Sequence, residues 1–364
     1  MSQFFISGVQ RSGTTMLSVM LEKHPDVLME KRSIAFRIIS CFKSLYDVLP
    51  YNLSIDSKEL LRWLVDNDSK GRLATVIQSD LLQPSGSVNI RQLIQSSIDQ
   101  KLAQEGCLLW GDKSPNIEYF ANDIMLLMPK AKFLHIVRDG RAVAYSMSTR
   151  SSRNLLLSAQ KWADGNVCSL VNQQILGPDR FKIIRYEDLL TQPEKVMRSV
   201  CDFLELPFVP EMLQLTDPSL EGDKSYVKNY FDRSKIDKWR DQLSERSLRK
   251  IEQIQGPLLE QLGYERSPFG DLPHRPLSVW QRIRYNQADN IRQLFRSRRM
   301  GMVDRKNVEI HIPLKNRLYI FAKVFTQDVF SVPIFKHLFP RVYYRARHYQ
   351  PSNHLQTQRE HEFD

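Results

Sequence analysis

The chain has 364 residues, of which 42% are hydrophobic, and this suits a globular core in one large domain or two smaller ones. No window of about 18 apolar residues occurs, so no transmembrane helix is expected. The net charge of +11 is uneven, because residues 271–350 carry sixteen Lys and Arg against five Asp and Glu. The four cysteines lack metal-ligand spacing, which indicates buried free thiols.

The first predicted element is a buried strand at residues 4–9, followed by a glycine-containing loop and a helix from residue 14 to 22. The N-terminus fits a first strand and not a signal peptide, so a cytoplasmic location is expected. Residues 30–105 look helical and irregular, with breaks near 54–56 and 84–86. We interpret them as an insertion over the sheet that shapes the substrate side of any site at the sheet edge.

Further strands are predicted at 133–137 and 181–185, each followed by a helix, the first beginning near Arg141 and the second around 194–204. Another amphipathic helix is predicted at 243–262, ending near Gly263. The alternation predicts an α/β fold: a P-loop-like parallel sheet flanked by helices, with the helical insertion and a basic C-terminal extension. We expect a domain at 1–268 and the extension at 269–364.

The stretch VQRSGTTML lies between the first strand and the first helix. It fits a phosphate loop, G-x-x-x-x-G-K-[ST], from Gly8 through Gly13, except that Thr14 replaces the lysine. Backbone N–H groups at such a turn favour an anion. A nucleoside triphosphate with Mg²⁺ normally needs the lysine, whereas a sulfuryl group on a 5′-phosphate needs less cation. Further donors in the loop are Arg11, Ser12, Thr14 and Thr15.

A second anion pocket is predicted where the strand at 133–137 ends. Arg138 follows that strand, and Ser146 and Arg150 share one face of the next helix. Ligands of open α/β sheets bind at such carboxyl ends. The alternative is that Arg138 pairs with a carboxylate and that Arg150 is a solvated helix charge. Two anion sites at two strand ends suit a nucleotide with 5′ and 3′ phosphates.

Four stretches in order, VQRSGTTML, WGDKSP, FLHIVRDGRAVAYSM and IIRYEDLLTQPEKV, resemble successive motifs of sulfotransferases that use 3′-phosphoadenylyl sulfate. Their spacing is most similar to tyrosylprotein sulfotransferases and bacterial relatives, over residues 4–265. The resemblance implies that residues 11–15 cradle the 5′-phosphosulfate and that Arg138, Ser146 and Arg150 hold the 3′-phosphate. It also implies that Tyr186 contacts the nucleotide, and that Ser225 and Lys238 belong to a mobile loop that reaches it.

The resemblance also implies the catalytic residues. Lys113 matches a lysine near the bridging oxygen, where it would neutralise the leaving phosphate together with Arg11. Glu30, in HPDVLMEKR, is the candidate general base, although the protein-tyrosine enzymes have two adjacent acids here. The alternative is a surface Glu30 paired with Lys31 or Arg32. His24 and His135 are weaker candidates, since one closes a helix and the other fits a core histidine.

The expected activity is direct in-line sulfuryl transfer to a protein tyrosine, a carbohydrate or a small metabolite, with no metal. Two alternatives remain: a P-loop kinase that uses ATP, and a binding protein that has lost turnover. The basic stretch at 275–347 fits a peripheral membrane contact, an acidic substrate, or a docked helix with a solvated basic face. No nucleic-acid motif supports a nucleic-acid partner.

Overall fold

The computed structural model describes residues 3–30, 33, 54–56, 87–114, 116–151, 153–215, 231–269 and 272–299. Its strands are β1 (Gln3–Ser7), β2 (Val27–Glu30), β3 (Ser54–Asp56), β4 (Ser87–Asn89), β5 (Leu109–Asp112), β6 (Lys132–Val137) and β7 (Phe181–Arg185). Its α-helices are α1 (Thr14–Glu22), α2 (Ile90–Glu105), α3 (Ala121–Leu127), α4 (Gly140–Arg150), α5 (Leu155–Leu176), α6 (Tyr186–Thr191), α7 (Pro193–Leu204), α8 (Ser234–Asp237), α9 (Glu245–Gln255), α10 (Leu258–Gln261) and α11 (Val279–Arg299). Two 3-10 helices cover Ile117–Phe120 and Pro210–Leu213.

A five-stranded sheet with the order β2-β5-β1-β6-β7 forms the centre of the fold. The pairs β2–β5, β5–β1 and β1–β6 are parallel, which confirms the predicted fold class. All five residues of β1 are buried, because a central parallel strand is covered on both faces. The antiparallel pair of β3 and β4 is separate from this sheet.

The chain divides into two compact units that interleave along the sequence. The first unit contains residues 1–8, 13–136 and 171–232. Its core stacks the rings of Phe5, Phe133 and Phe181, with centroids 5.6 and 5.9 Å apart, and Trp110 packs edge-on against Phe5. Helix α2 covers this core with an apolar face. The helical character expected for the insertion therefore holds at α2, while most of the predicted insertion lies outside the described residues.

The second unit contains residues 9–12, 137–170 and 233–364. Its core includes Ala144, Ala159, Ile251 and Ile254, from helices α4, α5 and α9. Leu277, which precedes α11, packs against the same core.

The predicted single helix at 243–262 is wrong. The chain forms α9 and α10 instead, separated at Gly256 and Pro257. Gly256 has a φ of +47° that only glycine adopts readily, and its Cβ position would lie 2.6 Å from the ring of His274. The apolar periodicity continues through the break because α10 buries Leu258 and Leu259.

Helix α11 begins the basic C-terminal extension and is anchored within the second unit. Arg282 forms an ion pair of 2.9 Å with Asp164 on α5, and Asp289 accepts the backbone N–H of Asn154. Trp280 is 65% exposed at the first turn of the helix. Residues 300–364 lie outside the described residues. In the part of the chain that is described, no helix is both long and apolar enough to cross a membrane.

Candidate active site

The loop between β1 and α1 has positive φ angles at three residues, Gly8, Arg11 and Gly13. Gly8 and Gly13 have φ angles of +150° and +106°. A Cβ at Gly8 would lie 2.6 Å from the carbonyl oxygen of Ile136, and one at Gly13 would overlap the ring of Tyr186. Arg11 also has a positive φ of +77°, which costs a non-glycine residue on the order of 1–3 kcal/mol. Such strain clusters at ligand-binding loops.

The loop leaves donors for an anion. Helix α1 begins at Thr14 without a side-chain cap among the described residues, and Thr15 is exposed in its first turn. Ser12 donates its backbone N–H to Val9 at 3.0 Å. Its hydroxyl is buried and has no hydrogen-bond partner in the described part of the chain. A glycine-lined turn with an orphaned buried hydroxyl fits the phosphosulfate end of the expected nucleotide.

The second unit brings three predicted nucleotide residues together. Arg11 donates through Nε to Ser146 Oγ at 3.2 Å, and Arg138 donates to the carbonyl oxygen of Arg11 at 3.3 Å. Arg138 is in turn held by its own carbonyl, which accepts the indole N–H of Trp162 at 2.9 Å. Arg11 therefore contacts Ser146 through its side chain and Arg138 through its backbone carbonyl.

Two other residues predicted to bind the nucleotide, Arg150 and Lys238, are exposed in this unit. Arg150 is exposed in the last turn of α4, one turn beyond Ser146. Lys238 is exposed at the end of α8, and Lys235 of that helix accepts a hydrogen bond of 2.6 Å from Arg138 through its carbonyl oxygen. The segment that carries Lys238 is thereby tied to Arg138. Ser225 lies outside the described residues.

A buried ion cluster fixes the start of α4, which carries Ser146. Arg141 is 2% exposed and forms ion pairs of 2.7 Å with Asp139 and 2.8 Å with Glu252. Its guanidinium also lies 4.4 Å from the ring centre of Trp239. Asp139 caps the helix by accepting the backbone N–H of Arg141 at 2.8 Å. The sequence motif RDGR thus combines Arg138, which is predicted to bind the nucleotide, with the two structural charges of Asp139 and Arg141.

The first unit places two of the three candidate catalytic residues, Glu30 and Lys113, at the ends of adjacent strands. Glu30 is the last residue of β2 and pairs in register with Asp112, the last residue of β5. Lys113 follows directly, and its backbone N–H donates to the Glu30 carbonyl at 2.9 Å. Both residues lie at the carboxyl edge of the sheet, where the predicted site belongs. Tyr186 of this unit lies against Gly13 and is buried.

The carboxylate of Glu30 has partners that the sequence did not indicate. One oxygen pairs with the ammonium of Lys101 on α2, and the other accepts the indole N–H of Trp110 at 2.8 Å. The alternative partners Lys31 and Arg32 lie outside the described residues. Each carboxylate oxygen keeps a second acceptor position, so the group can still take a proton from an incoming hydroxyl. Nothing in the sequence marked Lys101 or Trp110 as a partner of Glu30.

Asp112 lies beside Glu30 at the same edge of the sheet. Its side chain is fully buried and accepts the backbone N–H of Ser33 at 2.8 Å. Burial raises the pKa of the Asp112 carboxyl, and the neighbouring Glu30 adds to the rise. Two neighbouring carboxylates repel each other, so the charged form of Asp112 is disfavoured beside Glu30.

His24 and His135, the two weaker candidates for the base, both make buried structural contacts. His24 is buried, and its Nε2 lies 2.9 Å from the carbonyl oxygen of Pro207. His135 is buried mid-strand, and its Nδ1 lies 2.9 Å from Ser7 Oγ. The described cysteines Cys107, Cys168 and Cys201 are free thiols, of which only Cys201 is buried. The expectation of buried thiols holds for Cys201 and is wrong for the other two, which are partly exposed.

Comparison with known proteins gives consistent matches. The family model described as Sulfotransferase family matches residues 3–210. A protein-tyrosine sulfotransferase of Drosophila melanogaster is 27% identical over 75% of this chain, and a putative one of Caenorhabditis briggsae is 26% identical over 72%. The matched regions span 53% and 89% of those relatives, so this chain covers about half the length of the first.

A solved sulfotransferase domain from the Synechococcus PCC 7002 olefin synthase is 23% identical, with a TM-score of 0.49, over 73% of this chain and 96% of that domain. The family model alone covers more than half of the 364 residues. It also begins in β1 and therefore includes the glycine-lined loop, Glu30, Lys113 and the Arg138 region. The chain belongs to the sulfotransferase family.

Proposed function

We propose that the protein transfers a sulfuryl group from 3′-phosphoadenylyl sulfate to an acceptor hydroxyl by in-line displacement. The observation that carries the proposal is the contact of Arg11 with Ser146, reinforced by Arg138. It joins the phosphate loop to the residues expected at the 3′-phosphate, as a nucleotide with phosphates at both ends requires. Ser12, Gly13, Thr14 and Thr15 would hold the 5′ end, and Arg138, Ser146 and Arg150 the 3′ end.

The residues divide the chemistry among them. Glu30 would take the proton of the acceptor hydroxyl as its oxygen attacks sulfur. Lys113 and Arg11 would stabilise the charge that develops on the bridging oxygen as adenosine 3′,5′-bisphosphate departs. Tyr186 would pack on the nucleotide, and Lys238 with Ser225 would reach it from the segment tied to Arg138. The reaction as proposed needs no metal, and retention of activity in EDTA would test that.

Protein tyrosine is the proposed acceptor class, because relatives named protein-tyrosine sulfotransferase match most of the chain. The basic stretch at 275–347 would favour acidic sequence around the tyrosine. A carbohydrate or small-metabolite acceptor would be the result of the test if peptides fail. The cytoplasmic location stays a prediction, which fractionation of expressing cells would check.

The first experiment is calorimetry with adenosine 3′,5′-bisphosphate and with ATP plus Mg²⁺. Sulfuryl transfer predicts tight binding of the bisphosphate and weak binding of ATP, because Thr14 replaces the loop lysine. The reverse order would favour the kinase alternative. The second experiment incubates the protein with 3′-phosphoadenylyl sulfate and tyrosine-containing acidic peptides, and mass spectrometry detects an added SO₃ group. Nucleotide binding without transfer to any of a wide panel of acceptors would favour the non-catalytic alternative.

A further inference from the structure

A buried carboxyl lies directly beneath the phosphate loop and has no part in the chemistry described above. Glu118, in the 3-10 helix Ile117–Phe120, is 2% exposed. Its Oε2 accepts the hydroxyl of Ser7 at 3.2 Å, and that same hydroxyl lies 2.9 Å from Nδ1 of His135. Ser7 ends β1, so the chain enters the loop at the next residue. All of these groups belong to the first unit.

The carboxylate is also connected to the loop backbone. It accepts a hydrogen bond from the backbone N–H of Gly8, the first residue of the loop. Gly8 is in close contact with Thr14, since a Cβ at Gly8 would lie 2.9 Å from Thr14 Cγ2. The φ of +150° at Gly8 lies in a region that glycine adopts readily and that residues with a side chain rarely adopt. Glu118 is therefore one hydrogen bond away from the turn that starts the anion cradle.

Glu118 has neighbours from three elements of the first unit. Ser7 of β1 donates to its carboxylate, and His135 of β6 contacts the same hydroxyl. The amide of Asn172 on α5 donates to the Glu118 carbonyl at 2.7 Å. Asp123 on α3 is the nearest acid along the chain. Burial raises the pKa of Glu118 to about 7, against opposing hydrogen bonds that include those of Ser7 and Gly8.

We propose that Glu118 is a positioning residue of the phosphate loop and that nucleotide binding is coupled to its protonation, the neutral form binding more tightly. The proposal rests on the nucleotide binding proposed above. An anion in the cradle repels a carboxylate beneath it, so it favours the neutral acid. By linkage, a proton on Glu118 strengthens nucleotide binding to the same extent. The protein should take up protons when it binds the nucleotide near neutral pH.

The test measures the affinity for adenosine 3′,5′-bisphosphate by calorimetry between about pH 6.5 and pH 8.5. It compares the wild type, Glu118→Gln, and a matched control, Glu211→Gln, which changes an exposed carboxylate of the same unit. If binding raises the pKa of Glu118 by about one unit, the affinity of the wild type should fall by about fivefold more than that of Glu118→Gln over this range. The phosphates of the nucleotide titrate equally with all three proteins and cancel in the comparison.

A second variant keeps the proposal testable if Glu118→Gln does not fold. Ser7→Ala removes a donor that favours the charged carboxylate, so the midpoint of the pH dependence should move to higher pH. Equal pH dependence in the wild type and Glu118→Gln, or an unmoved midpoint in Ser7→Ala, would overturn the proposal while nucleotide binding stands. Absence of nucleotide binding by the wild type at every pH would overturn the proposed function, and this proposal with it.

Discussion

Arg11 Nε lies 3.2 Å from Ser146 Oγ, although the two residues are 135 positions apart in the sequence. The contact fixes the guanidinium of a residue whose backbone is itself in the left-handed region, with a φ of +77°. Arg138 adds a hydrogen bond to the Arg11 carbonyl, so both the backbone and the side chain of Arg11 are held before any ligand arrives. Preorganised donors cost less ordering entropy on binding, and this is the property that a nucleotide cradle needs.

Replacing Arg138 with Gln should remove a charge-assisted hydrogen bond to the 3′-phosphate. Such bonds contribute about 1.5–3 kcal/mol, so the affinity for adenosine 3′,5′-bisphosphate should fall by about 10- to 150-fold. The affinity for 5′-AMP, which has no 3′-phosphate, should change much less. Calorimetry with both nucleotides measures the difference. Arg198→Gln, an exposed arginine paired with Glu194, is the control. Equal losses for both nucleotides would argue that Arg138 only supports the loop.

Replacing Gly13 with Ala should impair both folding and binding. The new Cβ meets the Tyr186 ring, and the φ of +106° is strained for any residue with a side chain. Combining it with Tyr186→Ala removes the overlap and leaves the strain. The double variant should therefore bind the nucleotide more weakly than Tyr186→Ala alone, while its thermal stability recovers in part relative to Gly13→Ala. Full recovery of binding to the level of Tyr186→Ala would show that the overlap alone is responsible.

The strands that the sequence predicted are those with continuous apolar runs, β1, β6 and β7. Strands β1 and β6 lie inside the sheet, where burial on both faces demands apolar residues, whereas β7 is an edge strand that is only partly buried. Strands β2 and β5 were not predicted as strands because VLME and LWGD are short and end in acids. Their strand conformation comes from pairing with each other and with β1, which is a tertiary effect that a local pattern does not contain.

The candidate site was predictable to different degrees. Arg11, Ser146 and Arg138 come from a motif and a helical spacing, and the structure brings them into contact. The pairing of Glu30 with Lys101 was not predictable, because the two residues are 71 positions apart and meet only through packing of α2 on the sheet. The contact of Glu118 with Ser7 was not predictable for the same reason. Long-range partners of charged residues depend on the register of elements, which the sequence alone does not fix.

Glu30→Gln should abolish turnover while the nucleotide affinity stays within about twofold of the wild type. Loss of a general base typically costs on the order of 10²- to 10⁴-fold in rate. Lys101→Met removes the ammonium that orients the same carboxylate, so a smaller loss of about tenfold in kcat is expected. Lys130→Met, a change at an exposed lysine outside the site, serves as the control. The measurement is SO₃ incorporation into the accepted substrate. Unchanged turnover in Glu30→Gln would reject Glu30 as the base.

Arg141→Met should destabilise the second unit strongly. It leaves Asp139 and Glu252 as buried carboxylates without their cation, and breaking a buried ion pair in this way costs about 3–5 kcal/mol. Denaturant unfolding followed by tryptophan fluorescence should show this loss, since Trp239 lies on the guanidinium. Arg249→Met, at an exposed pair with Glu245, should cost less than about 1 kcal/mol. Similar losses in the two variants would contradict the structural role of the cluster.

Glu118→Gln should stabilise the protein above neutral pH and have little effect near pH 5. The pKa of Glu118 is about 7 in the folded state, against an ordinary value of 4.5, so the folded protein holds a proton that the unfolded chain releases between these values. Stability therefore falls as the pH rises from about 4.5 to 7, and this contribution stays lost above 7. The glutamine variant does not ionise and avoids the loss. It should gain up to about 3 kcal/mol over the wild type at pH 8. Denaturant unfolding of both proteins at pH 5 and pH 8 measures the difference in the free energy of unfolding. An equal effect of the substitution at both pH values would show that the Glu118 carboxylate is ionised in the folded protein throughout this range.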